Sequence, residues 1–130
     1  MVSLANSLTA FLDGRPELMA AYLFGSVARG TARAASDVDI AILLERDPPP
    51  TFEALSLDLE GDLERLLGRP VQLVVLNRAP VDLIHNVLRD GQIVLDRDRS
   101  ARIRFEVRAR AEYLDLVPFL RRYRRQGDAA

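Results

Sequence analysis

The chain has 130 residues, a formal net charge of −1 and no cysteine, the size of one ordinary domain. Disulfides and thiolate-based zinc or redox chemistry are excluded, and a single histidine, His85, argues against a histidine-rich metal centre. No apolar run is long enough to span a membrane, and the N-terminus lacks the basic and apolar regions of a signal peptide, so a cytoplasmic protein is expected.

Residues 3–13 read as a helix with Leu4, Leu8, Phe11 and Leu12 on one side, ended by Gly14-Arg15-Pro16. Residues 19–24 read as a first strand, and 26–32 as a short helix or turn behind Gly25. A second strand over 37–44 alternates. Val38, Ile40, Ile42 and Leu44 share one face, and Asp37, Asp39, Ala41 and Leu43 the other. Pro48 to Pro50 form a stiff connector. Thr51 is the expected N-cap of a helix over about 52–67, with Phe52, Leu55, Leu59, Leu63 and Leu66 at helical spacing and Gly68 as its stop. A third strand follows over 71–76. Pro80 starts a helix bearing Leu83, Ile84, Val87 and Leu88, which ends near Gly91, and Gln92 to Leu95 make a fourth strand. Residues 98–124 read as a long basic amphipathic helix with Ile103, Val107, Leu114 and Val117 inward. Pro118 is expected to kink or interrupt it, and Gly127 to Ala130 to fray. The expected fold is α/β (α+β), a small sheet covered by helices. Strand directions stay open.

Charge divides along the chain. Residues 1–96 carry 8 arginines and 14 acids, whereas residues 97–130 carry 10 arginines and 5 acids. The C-terminal helix is therefore either a basic partner surface or a helix laced by its own i,i+4 pairs, Arg102/Glu106 and Glu106/Arg110.

The chemistry concentrates at Gly25-Ser26 and, ten residues on, Asp37-Val38-Asp39. In a strand the two aspartates project from one face, roughly 6.5–7 Å apart at Cα. Carboxylates so placed repel unless a cation lies between them, and hard oxygen donors suit Mg²⁺. A Gly-Ser turn leading into a helix offers N–H groups to phosphate oxygens. Asp37 and Asp39 are the candidate metal and catalytic residues, and Gly25, Ser26 and Arg29 the candidate nucleotide contacts. Ser26 also suits a helix cap. Arg33 is a weaker phosphate candidate, His85 suits a structural role, and Tyr113 and Tyr123 suit packing or partner contacts.

This spacing resembles the signature of the DNA polymerase β-like nucleotidyltransferases. The strings GSVARG and SDVDIAILL, with LVVLNRAP, RDGQIVLDRD and EYLD further on, resemble the minimal nucleotidyltransferase (MNT) branch, in which an MNT antitoxin partners a HEPN ribonuclease toxin. The resemblance covers most of the chain. It implies a polymerase β-like fold with a mixed sheet of about four strands, a nucleotidyltransferase core over 1–97 and a basic helical extension over 98–130 within the same domain. It also implies one or two Mg²⁺ ions at Asp37 and Asp39, ATP as substrate, and AMP transfer to a tyrosine of a HEPN toxin in a hetero-oligomer, with no membrane and no direct nucleic-acid partner. Active members carry a third carboxylate on the third strand, where this chain has Gln72. That difference opens a second reading, an antitoxin that acts by complex formation alone. A transferase for a small molecule is a weaker third, because such enzymes carry a second domain for the acceptor.

Overall fold

The computed structural model describes residues 3–30, 37–48 and 52–128, with the side chains of Arg29, Leu55 and residues 124–128 outside that description. Its elements are α1 (Leu4–Asp13), β1 (Leu18–Phe24), α2 (Gly25–Arg29), β2 (Val38–Leu44), α3 (Phe52–Leu67), β3 (Val71–Val75), a 3-10 turn (Leu76–Arg78), α4 (Val81–Asp90), β4 (Gln92–Asp96) and α5 (Arg99–Asp128). The four strands form one mixed sheet in the order β3-β2-β1-β4. β1 runs antiparallel to both β2 and β4, while β2 and β3 are parallel. No helix among the described residues is long and apolar enough to cross a membrane.

Strict alternation in β2 decides the layering. Val38, Ile40, Ile42 and Leu44 face a core built with Leu8 and Leu12 of α1 and Phe52, Leu59 and Leu63 of α3. Ala41 and Leu43 face the opposite core, with Ala20 and Tyr22 of β1, Ile84 and Val87 of α4, and Ala109 of α5. A one-residue slip would exchange the two faces wholesale, so the register is firmly held. Beyond β3 the chain turns away, and the Asn77 amide completes the ladder: its Oδ1 accepts from Leu44 N at 2.8 Å and its Nδ2 donates to Leu44 O at 3.1 Å.

Local signals set most boundaries. The Ser3 hydroxyl caps α1 by accepting from Asn6 N at 3.1 Å. The Arg97 guanidinium donates to the carbonyls of Asp13 and Arg15 at the other end of α1. Gly68 sits at φ +65° after α3, as a C-terminal glycine stop requires. Arg15 pairs with Asp62 at 2.7 Å, and this hydrogen bond holds the Asp62 carboxyl below the usual carboxylate range. The Thr51 cap lies outside the described residues.

Two expectations about helix faces fail. Leu66 is exposed, and Leu67 packs against the core instead. On α5 the expected inward face is rotated away: Ile103, Val107 and Leu114 are exposed, the last at 69%. Arg102, Glu106 and Ala109 are buried in their place, with Phe105 packed beside them. The reason is a polar network that periodicity cannot register. The Tyr22 hydroxyl, on the central strand β1, donates to Glu106 Oε1 at 2.7 Å. Arg102 Nη1 donates to the same oxygen at 2.9 Å, and its Nε lies 3.0 Å from Asp96 Oδ2. Once Tyr22 is buried its hydroxyl needs a partner, and this face of α5 supplies one in Glu106. Small Ala109 lets the helix approach Ala20 and Ala41. Pro118 also departs from expectation, since α5 runs through it unbroken. Proline removes one bond, to the carbonyl of Leu114, on a solvent-facing stretch where water can replace it.

Burial, with the hydrogen bond to Glu106, pushes the Tyr22 hydroxyl above the ordinary tyrosine range. A group raised in the folded state contributes stability below its unfolded pKa, ~10 for tyrosine, and loses it as pH rises further. Stability should therefore fall above about pH 10, and Tyr22→Phe should flatten that limb while costing ~1–3 kcal/mol at pH 7. Arg102→Leu, which leaves Glu106 buried without its nearest cation, should cost more, about 3–5 kcal/mol. Urea unfolding across pH reads all three.

Candidate active site

β1 and β2 bring the two halves of the motif together. Their antiparallel register pairs Phe24 with Asp39, so the turn at the end of β1 stands beside the start of β2. Gly25 is the turn. Its φ of +74° is a left-handed conformation that suits glycine. A Cβ built there would fall onto Asp39 Oδ2, with Cγ at 3.0 Å and the Asp39 Cβ at 3.3 Å. The Asp39 carboxylate thus fills the space that any side chain at position 25 would take. Glycine is required for its backbone angle and again for its bareness.

Ser26 follows in the first turn of α2, half-buried. The first N–H groups of a helix have no intrahelical partner, which makes this turn a donor surface for an anion. Gly30 closes α2 in the left-handed conformation, its N–H directed to the Ser26 and Val27 carbonyls. The Arg29 side chain lies outside the description, and so does Arg33.

Asp39 is half-buried and shares the β2 face with Ala41 and Leu43, the face covered further along by α4 and α5. Asp37 is exposed and stands immediately before β2, which begins at Val38, one residue later than expected. Gln72 is Asp39's partner across the parallel β2–β3 ladder, and it too is exposed. Laterally paired residues share a sheet face, and neighbouring strands lie ~4.8 Å apart. The position next to Asp39 is therefore occupied by an amide. Among the described residues no three histidine, cysteine, aspartate or glutamate side chains gather as a metal cluster. The donor set is two carboxylates and one amide oxygen. These are hard oxygen donors, which suit Mg²⁺ completed by water and phosphate oxygens.

The other candidates lie elsewhere. The His85 ring stacks on Tyr113 with centroids 3.6 Å apart and planes 5° from parallel, so it joins α4 to α5. A hollow of about 500 Å³ between Pro16 and Phe52 sits at the far end of β2, beside Leu44. No motif marks Asp90 and Gln92, which stand at the same end of the sheet as Gly25. Their position depends on the pairing of Gln92 with Leu23 in β1, which local sequence does not reveal.

Known proteins share this arrangement. The Polymerase beta nucleotidyltransferase profile matches residues 6–100. A chain of a toxin–antitoxin crystal structure with AMP-PNP is 29% identical, superposes with a TM-score of 0.75, and the match covers 88% of this chain and 90% of that one. A chain of the MntA–HepT toxin–antitoxin structure is 26% identical at a TM-score of 0.68, covering 86% of each chain. A chain of the complex between the tri-AMPylated Shewanella oneidensis HEPN toxin and its MNT antitoxin is 26% identical at a TM-score of 0.69, covering 86% of this chain and 85% of that one. No curated protein sequence matches significantly. With almost three-quarters of its length matched by the family profile, and with the turn and aspartate brought together as described, the chain belongs to the polymerase β nucleotidyltransferase family.

Proposed function

We propose that the protein is the antitoxin of a HEPN–MNT pair, a cytoplasmic nucleotidyltransferase that transfers AMP from ATP to a tyrosine hydroxyl of its HEPN ribonuclease partner and so silences it. The observation that carries this reading is the seating of the Gly25 turn against the Asp39 carboxylate. It puts the turn that would bind phosphate beside the carboxylate that would hold the metal. The similar chains from toxin–antitoxin complexes, one with an AMPylated toxin, supply the partner class.

In this reading the N–H groups at the start of α2 and the Ser26 hydroxyl receive the triphosphate. Asp37 and Asp39 would hold Mg²⁺, which when bound neutralises charge on the phosphates. The acceptor hydroxyl oxygen forms a bond to the α-phosphorus of ATP. The bond from that phosphorus to the bridging oxygen breaks, pyrophosphate leaves, and the hydroxyl proton passes to solvent. Most of the rate comes from holding the reactants in line and neutralising charge. Gln72 cannot take the proton. If the missing carboxylate serves as general base in active relatives, its absence costs about 10²–10⁴-fold in rate.

Gln72 beside Asp39 specifically favours a second reading, in which the chain binds nucleotide and partner but turns over poorly, and neutralises the toxin by complex formation. One assay separates the two. Incubate the purified chain with α-labelled ATP, Mg²⁺ and the product of the neighbouring gene. Label on the partner, abolished by Asp37→Ala/Asp39→Ala, is the expected result. A stable complex that blocks the ribonuclease without labelling it sinks catalysis and leaves the second reading. Gln72→Asp should raise the labelling rate by about 10²-fold or more. Gly25→Ala should lower it by at least ~10²-fold, because displacing Asp39 by an ångström spoils the alignment.

A further inference from the structure

β3 is an edge strand, and Gln72 on it is Asp39's lateral neighbour. Val38 N donates to Pro70 O at 2.9 Å, and the register pairs Val38 with Val71. In a parallel ladder this alternation turns the backbone groups of Gln72 and Val74 toward β2 and those of Val71, Leu73 and Val75 outward. Val71 N accordingly donates to Glu64 Oε1 of α3 at 3.1 Å. Past that cap, no hydrogen bond among the described residues engages the N–H groups of Leu73 and Val75. An open edge of this kind accepts a further strand.

The surroundings of the edge say what that strand is. α3 lies along it, with Glu53, Leu57, Glu60 and Glu64 at the spacing of one helix face. Glu64 meets Val71, while Glu53 and Leu57 line a hollow of about 400 Å³ beside Val75, together with Phe52. Leu57 is 70% exposed there. Burial and the Glu64 charge hold the Glu60 carboxyl above the usual carboxylate range, so a cation beside it is favoured. On an added strand, the residue opposite Gln72 shares the sheet face of Asp39 and stands ~10 Å from it, two strand spacings away. A tyrosine side chain and a metal-bound phosphate together fill that span. The residue opposite Val75 is three positions along and points to the other face, into the hollow. We propose that the β3 edge docks an extended segment of the acceptor protein, with the reacting tyrosine opposite Gln72, a basic residue facing Glu60 and an apolar residue three positions from the tyrosine in the hollow beside Leu57. The proposal rests on the preceding functional reading and adds how the acceptor is held. The acidic face of α3 disfavours RNA as the occupant, because it repels phosphate.

The test uses the full chain and the product of the neighbouring gene. Amide hydrogen exchange is followed by NMR for the free chain and for the saturated complex. Partner affinity is measured by calorimetry for wild type, Leu73→Pro, Glu53→Arg/Glu60→Arg, and Glu112→Arg as a control at an exposed acid of α5. Proline at 73 removes an outward N–H and leaves the β2 ladder its bonds. The expected result is that the Leu73 and Val75 amides exchange at least ~10-fold more slowly in the complex. Leu73→Pro and Glu53→Arg/Glu60→Arg should each weaken partner binding about tenfold or more, with Glu112→Arg and the affinity for ATP and Mg²⁺ unchanged. If both amides exchange in the complex as they do in the free chain, the edge is not the docking surface, and the functional reading stands; this readout needs no variant to fold. Wild-type affinity in both edge variants overturns the proposal in the same way. If the amides are already protected in a dimer of the chain alone, the occupant is a second copy and the proposal is overturned. If wild type binds ATP but neither binds nor labels the partner, the functional reading fails and the docking proposal fails with it.

Discussion

The contact between Gly25 and the Asp39 carboxylate constrains everything around the site. It exists because β1 and β2 are neighbours in antiparallel register, with Phe24 opposite Asp39. That register follows from alternation in β2, whose odd and even residues fill two different cores. Shifting β2 by one residue would bury Asp39 under α1 and α3 and turn Ile40 toward the Gly25 turn. The hydrophobic effect that stabilises the two layers therefore also sets the position of the Asp39 carboxylate at the end of the sheet.

The second organising element is polar. Tyr22, Glu106, Arg102 and Asp96 form a chain of hydrogen bonds and ion pairs from the central strand through α5 to the edge strand β4. Such a buried network gains little net energy against an apolar packing of the same volume, yet it is costly to break and it admits one orientation. In this protein it fixes the rotation of α5. The apolar residues on the other side of that helix, Ile103, Val107 and Leu114, stay in solvent as a consequence. The rotation of α5 and the exposure of its apolar face are two results of the same contacts.

The order of helices and strands was legible in the sequence because each element carries a local signal. Examples are the alternation of β2, the Ser3 cap, the glycine at 68 and the helical spacing of Phe52, Leu59 and Leu63. The turn and the aspartates were legible through spacing between two apolar runs. The face of α5 was not, because its periodicity counts apolar residues and gives no weight to a buried tyrosine that needs a partner on another element. The continuation through Pro118 was not, because the cost of a missing N–H depends on whether the orphaned carbonyl meets water. Strand directions were not, since a dozen-residue connection permits either sense. The resemblance put Gln72 on the third strand where active members carry an acid, and its pairing with Asp39 is read from the ladder.

What the molecule offers at its sheet end is a bare glycine turn, two aspartates and an amide where a third acid would complete the set. The central claim is that this constellation binds a nucleotide triphosphate through a divalent cation. Equilibrium binding of ATP, with and without Mg²⁺, to wild type and Asp39→Asn tests it most directly. The account predicts Mg²⁺-dependent binding by wild type and its loss in Asp39→Asn, with the fold intact by circular dichroism. Equal affinity for both proteins, or binding indifferent to Mg²⁺, would contradict it.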